Sequence, residues 1–204
     1  MKKRLLFTSL VVFLGVMLLA QFTKGRTKEK AELASLEQLQ QANKQQLQLG
    51  ERLVYIGGCH DCHTPKKMTD KGPVMDFSRA LSGHPAKLPP PDVDRKEIEQ
   101  KGLAVTQTLT AWVGPWGISY AANLTSDPTG IGNWTEKNFF TAIRQGKHKG
   151  IESGRMLLPP MPWDMISHMT DEELRAVFAY LKSTKPIKNV VPPAQPPVSA
   201  AAGK

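Results

Sequence analysis

The chain has 204 residues, 40% of them hydrophobic, which suits one compact domain with terminal extensions and leaves little room for two. Its formal charge of +9 sits at the ends: residues 1–30 carry +6 and the last 23 carry +4, so the stretch from 31 to 181 is close to neutral at −1. That body has no basic stripe interleaved with aromatics, and a nucleic-acid partner is excluded.

The chain opens on Met1-Lys2-Lys3-Arg4, followed by an uncharged apolar run over 5–22. At about 1.5 Å per residue, 18 helical residues almost cross a ~30 Å hydrocarbon core. The run is longer than a cleavable signal usually needs, and no good small-x-small site follows it. We therefore expect 1–22 to be a membrane helix or signal anchor that places the rest of the chain on the periplasmic side of a bacterial cytoplasmic membrane, with cleavage to a soluble periplasmic form as the alternative. No Cys follows the run, which argues against a lipoprotein anchor.

Residues 23–46 are rich in Lys, Glu and Gln, with Leu33, Leu36, Leu39 and Leu47 near helical spacing, and predict a helical spacer. Leu49, Leu53 and Ile56 then mark a helix face that stops at Gly57-Gly58 and leads into Cys59. Between 64 and 133 the chain holds eight Pro and seven Gly, which predicts a long irregular insertion. Alternation over Val105–Thr110 and Ile118–Ala122, around Gly114-Pro115, predicts a short β-hairpin within it. Thr135 caps a helix from Glu136 to Gln145, with Phe139, Phe140 and Ile143 on one face. Thr170-Asp171-Glu172-Glu173 is a capping box for a last helix carrying Leu174, Val177, Phe178 and Leu181. The Pro-rich stretch 184–204 predicts a disordered tail beyond a domain of 47–183.

Cys59-His60-Asp61-Cys62-His63 is C-x-x-C-H, the spacing of covalent haem attachment. Two thiols three residues apart can each bond one porphyrin vinyl group, and the histidine after the second then points at the iron. A thiol–disulfide site is the first competing reading. It calls for a thiol at a helix N-terminus, whereas the expected helix ends at the motif. A zinc site is the second, and it needs four ligands that His60, His63 and the two cysteines cannot easily converge. With only two Cys in the chain, we expect one haem of this kind, bound through Cys59 and Cys62 with His63 as an axial ligand.

The sequence resembles class I cytochrome c, and in particular a family of exported bacterial mono-haem domains, over about residues 47–192. The carriers are CHDCHTP at 59–65, KGP at 71–73, LSGHP at 81–85, GPWGISYAANLTSDPTGIGNW at 114–134, LPPMPW at 158–163 and MTDEELRAVFAYLKS at 169–183. The resemblance implies a mostly α, cytochrome c-like domain around one covalent haem, working as a one-electron carrier and not an enzyme. It implies that the Pro73 carbonyl accepts from His63 Nδ1, the alternative being a plain turn proline. It also implies that Gly50 lets the first helix cross the last near Ala176, Ala179 and Tyr180. Trp116, Trp134 and Trp163 are candidates for hydrogen bonds to haem propionates or for plain core packing.

The family places its sixth-ligand loop upstream of the last helix, where Met156, Met161, Met165 and Met169 stand. Met169 and Met165 adjoin the Thr170 cap and are expected to pack as staple or core. Met161 lies among Pro159, Pro160 and Pro162, which are expected to hold it on an extended backbone, and is the expected sixth iron ligand. Lys66, Lys67 and Lys71 are expected near the haem edge, as a docking surface or as ordinary solvated charge. His84, His148 and His168 are lone histidines with no assigned role. The expected partners are a redox protein donor and acceptor, or a larger membrane complex of which this chain is a redox subunit, and no small-molecule substrate is expected. A haem enzyme or gas sensor with a displaceable sixth ligand is the alternative.

Overall fold

The computed structural model describes residues 2–201, with side chains between 26 and 200 except at 27 and 31. The described chain divides into two units, Met1–Gln45 and Gln46–Lys204. The first is helical, part of helix α1 (Lys2–Ile56), and its Leu33, Leu36 and Leu39 are exposed, as in a solvated helix. The expected apolar segment 5–22 lies outside the residues whose side chains are described. Among the described residues no helix is long and apolar enough to cross a membrane.

The second unit begins with the last turns of α1 and continues through a short helix α2 (Cys59–His63), a hairpin of β1 (Lys66–Thr69) and β2 (Gly72–Met75), and α3 (Arg95–Lys101). A second hairpin of β3 (Ala111–Gly114) and β4 (Gly117–Tyr120) precedes α4 (Glu136–Arg144), α5 (Trp163–Ile166), α6 (Asp171–Ser183) and α7 (Val198–Ala201). The domain is thus helical with two short antiparallel hairpins.

The core joins the end of α1, α4 and α6. Leu53, Val54, Leu81, Ile131, Phe139, Ile143, Leu174, Val177 and Leu181 form one buried cluster. Each such side chain contributes about 1.5–3 kcal/mol by leaving water. Both capping boxes form. Thr135 accepts from the Asn138 N–H while Asn138 Oδ1 accepts from the Thr135 N–H, and Thr170 and Glu173 do the same for α6. On α1 the buried positions are Leu53 and Val54, with Leu49 half-buried, whereas Ile56, expected on the inner face, is 68% exposed because the helix ends there. A Cβ on Gly50 would lie 2.0 Å from the Ala176 carbonyl oxygen and 2.8 Å from Tyr180 Cβ, so the two helices touch backbone to backbone at that glycine.

The 64–133 stretch is less irregular than expected. Its second hairpin has the expected return strand, but the outgoing strand is 111–114, and of the 105–110 alternation only Val105 pairs, with Val113. The threonines explain the difference. Thr106 Oγ1 donates to the Ala111 carbonyl and accepts from the Leu109 N–H, while Thr108 and Thr110 bond each other, which builds a compact loop instead of a strand. Ile98, Val113 and Ile118 form a second small core there.

The tail also departs from expectation, because 184–199 is laid along the domain. Asn189 is 6% exposed; its Nδ2 donates to the Ser82 carbonyl at 2.7 Å and the His84 carbonyl at 2.8 Å, and its Oδ1 accepts from the Ala86 N–H at 3.0 Å. Gln195 exchanges backbone hydrogen bonds with Ile118, adding a bridge to β4, and Glu99 accepts from the Val198 and Ser199 N–H groups. Proline removed donors but left enough carbonyls and amides for this extended strap.

Candidate functional site

Gly58, at φ 67°, turns the chain out of α1 so that Cys59 begins a separate helix, α2. The cysteine motif is therefore its own helix rather than the end of the preceding one. Residues at i, i+3 and i+4 share a helix face, which brings Cys59, Cys62 and His63 together. Neither cysteine is in a disulfide, and both are half-buried. Although Cys59 is the first residue of α2, burial pushes its thiol up to about 11, and burial raises Cys62 as well. Thiol–disulfide chemistry needs the opposite shift. Among the described residues no group of three or more His, Cys, Asp or Glu side chains could hold a metal ion, so the four-ligand zinc arrangement has no counterpart here.

His63 is buried at 8% exposure, and its Nδ1 donates to the Ala122 carbonyl at 2.7 Å. That bond fixes the tautomer and ring orientation and leaves the Nε2 lone pair outward, with no protein partner among the described residues. Burial lowers the pKa of His63 below that of an ordinary histidine, with the Ala122 bond opposing the shift, and so favours the neutral form that can ligate. The acceptor is Ala122 and not Pro73, which lies opposite Met68 in the exposed β1–β2 hairpin and leads away from α2. Ala122 is brought in by Gly83. The Gly83 N–H donates to the His63 carbonyl, the next N–H, of His84, donates to the Ala121 carbonyl, and Gly83 takes φ 76° where a Cβ would lie 2.5 Å from Ala122 C.

The remaining candidates separate. Met161, half-buried, packs against the main core cluster, as do Cys59, Trp134 and Met169. Pro159 and Pro160 form a turn closed by the Met161 N–H on the Leu158 carbonyl, so the backbone before Met161 is folded back rather than extended. Met165 is 70% exposed, and neither staple nor core. Trp116 donates its Nε1–H to Ser119 Oγ, which in turn donates to the Pro159 carbonyl; its N–H is thus committed to the protein. Trp134 and Trp163 have no Nε1 partner among the described residues, and Trp163 lies flat against Gly146. Lys66 donates to the Asp61 and Thr64 carbonyls, capping α2, and Lys67 pairs with Asp76. His84 is fully buried and satisfied by Thr110 and the Leu88 carbonyl, a structural histidine.

No family model matches the chain. It is 40% identical over 87 residues to the cytochrome c subunit of alcohol dehydrogenase (quinone) from Gluconacetobacter polyoxogenes, covering 42% of this chain and 18% of that one. The fructose dehydrogenase cytochrome subunit of Gluconobacter japonicus is 36% identical over 85 residues (41% and 17%). A nicotinate dehydrogenase subunit of Pseudomonas putida is 37% identical over 79 (38% and 6%). Over the matched stretch the chain is similar to the cytochrome c subunits of these dehydrogenases. The chain spans less than a fifth of the length of each of these relatives, so the likeness is that of a cytochrome c domain recurring within larger subunits. The residue that the motif alone could not supply is Ala122, because a backbone carbonyl leaves no mark on side-chain identity.

Proposed function

We propose that this cytochrome domain holds one haem c, thioether-bonded to Cys59 and Cys62, with His63 Nε2 and Met161 Sδ as the axial ligands. The observation that carries the reading is His63: buried, oriented by its Nδ1–H on Ala122 and without a protein partner at Nε2 among the described residues, on the same five-residue helix as two cysteines that form no disulfide. Haem so bound supplies the Fe(III)/Fe(II) couple. The chain's part is to fix the imidazole, to keep water from it with the Leu53, Leu81 and Ile131 cluster, and to present Met161 from the turn before α5. Trp134 and Trp163, each with a free N–H, are the propionate donors in this reading, while Trp116 is structural. The names of the relatives support a place as redox subunit of a dehydrogenase, and the apolar run over 5–22 supports holding that subunit at a membrane, facing the periplasm.

Haem staining of a denaturing gel, with an intact mass, tests attachment: one covalent haem is expected, and haem extractable by acid acetone would overturn it. Met161→Ala should abolish the near-infrared sulfur-to-iron charge-transfer band and lower the potential while the haem stays attached. Survival of the band in Met161→Ala, with its loss in Met156→Ala, would reassign the ligand. Detergent co-purification with a dehydrogenase subunit tests the complex, and retention in the pellet after carbonate washing tests the anchor.

A further inference from the structure

The segment 81–84 lies between α2 and the segment 121–124 that carries the Ala122 carbonyl, and it is hydrogen-bonded to both. On the α2 side the Gly83 N–H donates to the His63 carbonyl at 2.8 Å and the Leu81 N–H donates to Thr64 Oγ1 at 3.0 Å. On the other side the His84 N–H donates to the Ala121 carbonyl at 2.9 Å and the Leu81 carbonyl accepts from the Leu124 N–H at 2.8 Å. Ala122 is thereby bracketed, with one bond just before it and one just after. Three of these four bonds join backbone to backbone, and Thr64 supplies the one side chain among them.

Leu81 is the residue both sides share, and its backbone is strained. It is buried yet holds φ 60°, the left-handed region that a bulky L-residue disfavours. Such a conformation persists where the surrounding bonds over-determine it, and here they are the Leu81 N–H on Thr64 and the Leu81 carbonyl under Leu124. Thr64 is suited to its part. It caps the C-terminal end of α2 with extended backbone, directly after His63, and is fully buried. Its hydroxyl proton has an acceptor in His60 Nδ1 at 2.8 Å, which leaves a lone pair for the Leu81 N–H. A methyl group in place of that hydroxyl would strand a buried donor and remove one of the two bonds that keep Leu81 at positive φ.

We infer that Thr64 is a positioning residue for His63: through Leu81 its hydroxyl holds the 81–84 segment, and with it the Ala122 carbonyl, against His63 Nδ1, and so sets how strongly the imidazole donates to iron. The inference rests on His63 being the axial ligand proposed above. A looser Nδ1–H bond makes the imidazole a weaker donor, favours Fe(II) over Fe(III) and raises the potential.

Thr64→Val keeps the branched shape and removes the hydroxyl, whereas Thr64→Ser keeps the hydroxyl. In the haem-loaded full chain in detergent, labelled with ¹⁵N, exchange of the His63 Nδ1 proton with D₂O in the reduced state reads the bond to Ala122, and spectroelectrochemical titration reads the potential. Thr64→Val is expected to exchange that proton at least about fivefold faster and to have a raised potential, and Thr64→Ser to restore both. A hydroxyl that only stabilises the fold would lower the urea midpoint and move neither readout. Exchange accelerated by less than about fivefold in Thr64→Val, a potential that does not rise, or no restoration in Thr64→Ser overturns the inference. If Thr64→Val does not fold, the unmodified chain decides: with intrinsic rates divided out, the Leu81 N–H should be at least as well protected as the His63 Nδ1–H, and a less protected Leu81 overturns the inference. The oxidised unmodified chain separates the two readings. A His63 ring without paramagnetic shifts overturns the axial ligand and the inference together, whereas shifted His63 signals with unmoved exchange in Thr64→Val overturn the inference alone.

Discussion

Gly83→Ala is the substitution that most directly probes how His63 is held. The new Cβ would stand 2.5 Å from Ala122 C and 2.6 Å from Ala122 O, the oxygen that accepts from His63 Nδ1, and 2.6 Å from the Ala121 oxygen. All three are backbone atoms, so no side-chain rotation relieves the overlap. Holding a non-glycine residue at φ 76° costs about 1 kcal/mol, and overpacking against rigid neighbours adds about 1–3 kcal/mol, for a loss of about 2–4 kcal/mol. Gly102→Ala is the control, since Gly102 also has positive φ, 64°, but nothing lies within 4 Å of its Cβ position. It should cost only about 1 kcal/mol. Urea unfolding of both haem-loaded variants measures the difference: at a slope of about 2 kcal/mol/M, Gly83→Ala should move the midpoint down by about 1–2 M and Gly102→Ala by about 0.5 M. Displacing Ala122 also makes the imidazole a weaker donor to Fe(III), so the potential should rise in Gly83→Ala alone. Equal midpoints for the two variants, or a lower Gly83→Ala potential, would refute the reasoning.

Asn189→Ala strips two backbone carbonyls and one N–H of their partner and should cost about 3 kcal/mol in the same urea assay; a loss under about 1 kcal/mol would mean the tail is not clamped as described. Burial, with Arg155 and Lys149 nearby, holds His148 at about 4, below the ordinary 6.5, so the unfolded chain takes up a proton between those values that the folded chain refuses. The stability this contributes is complete above pH 6.5 and is lost as pH falls to 4, and His148→Gln should flatten part of that decline in midpoint against pH.

The parts legible in sequence share a trait: each is written in side chains. The Thr135 cap, the Thr170 capping box, the Phe139 and Leu174 faces and the cysteine motif announce themselves by residue type and spacing, whereas the small residue at Gly50 came only from the family resemblance. The hairpin 66–75 was not legible because almost every position on it faces solvent, leaving no alternation to read. Helix α3 buries only Ile98, and one apolar residue has no period; its Asp94 cap and Gly102 stop were the available signals. Proline content predicted a disordered tail and gave no hint of a docking surface, since the partners of 184–199, the Ser82 and His84 carbonyls and the side chains of Glu99, Asn123, Thr125 and Thr129, lie far away in sequence and form no local pattern. The Ala122 acceptor is hidden for the same reason, and Pro73 was the wrong choice because the KGP motif adjoins the haem motif in sequence while its hairpin carries it away.

The Asn189 clamp sets an order of events for the emerging chain. It joins residues 107 positions apart, and the loop it pins, 82–86, is the one through which Gly83 docks on α2. A chain delivered from its amino end exposes both thiols and His63 long before residue 189 arrives. Until then the Gly83 loop lacks its back support. Closure comes late, as loop-closing contacts of such long range do. The strap is in this sense the last piece of the domain to arrive: the loop that holds Ala122 against His63 gains its back support only once residue 189 has joined it.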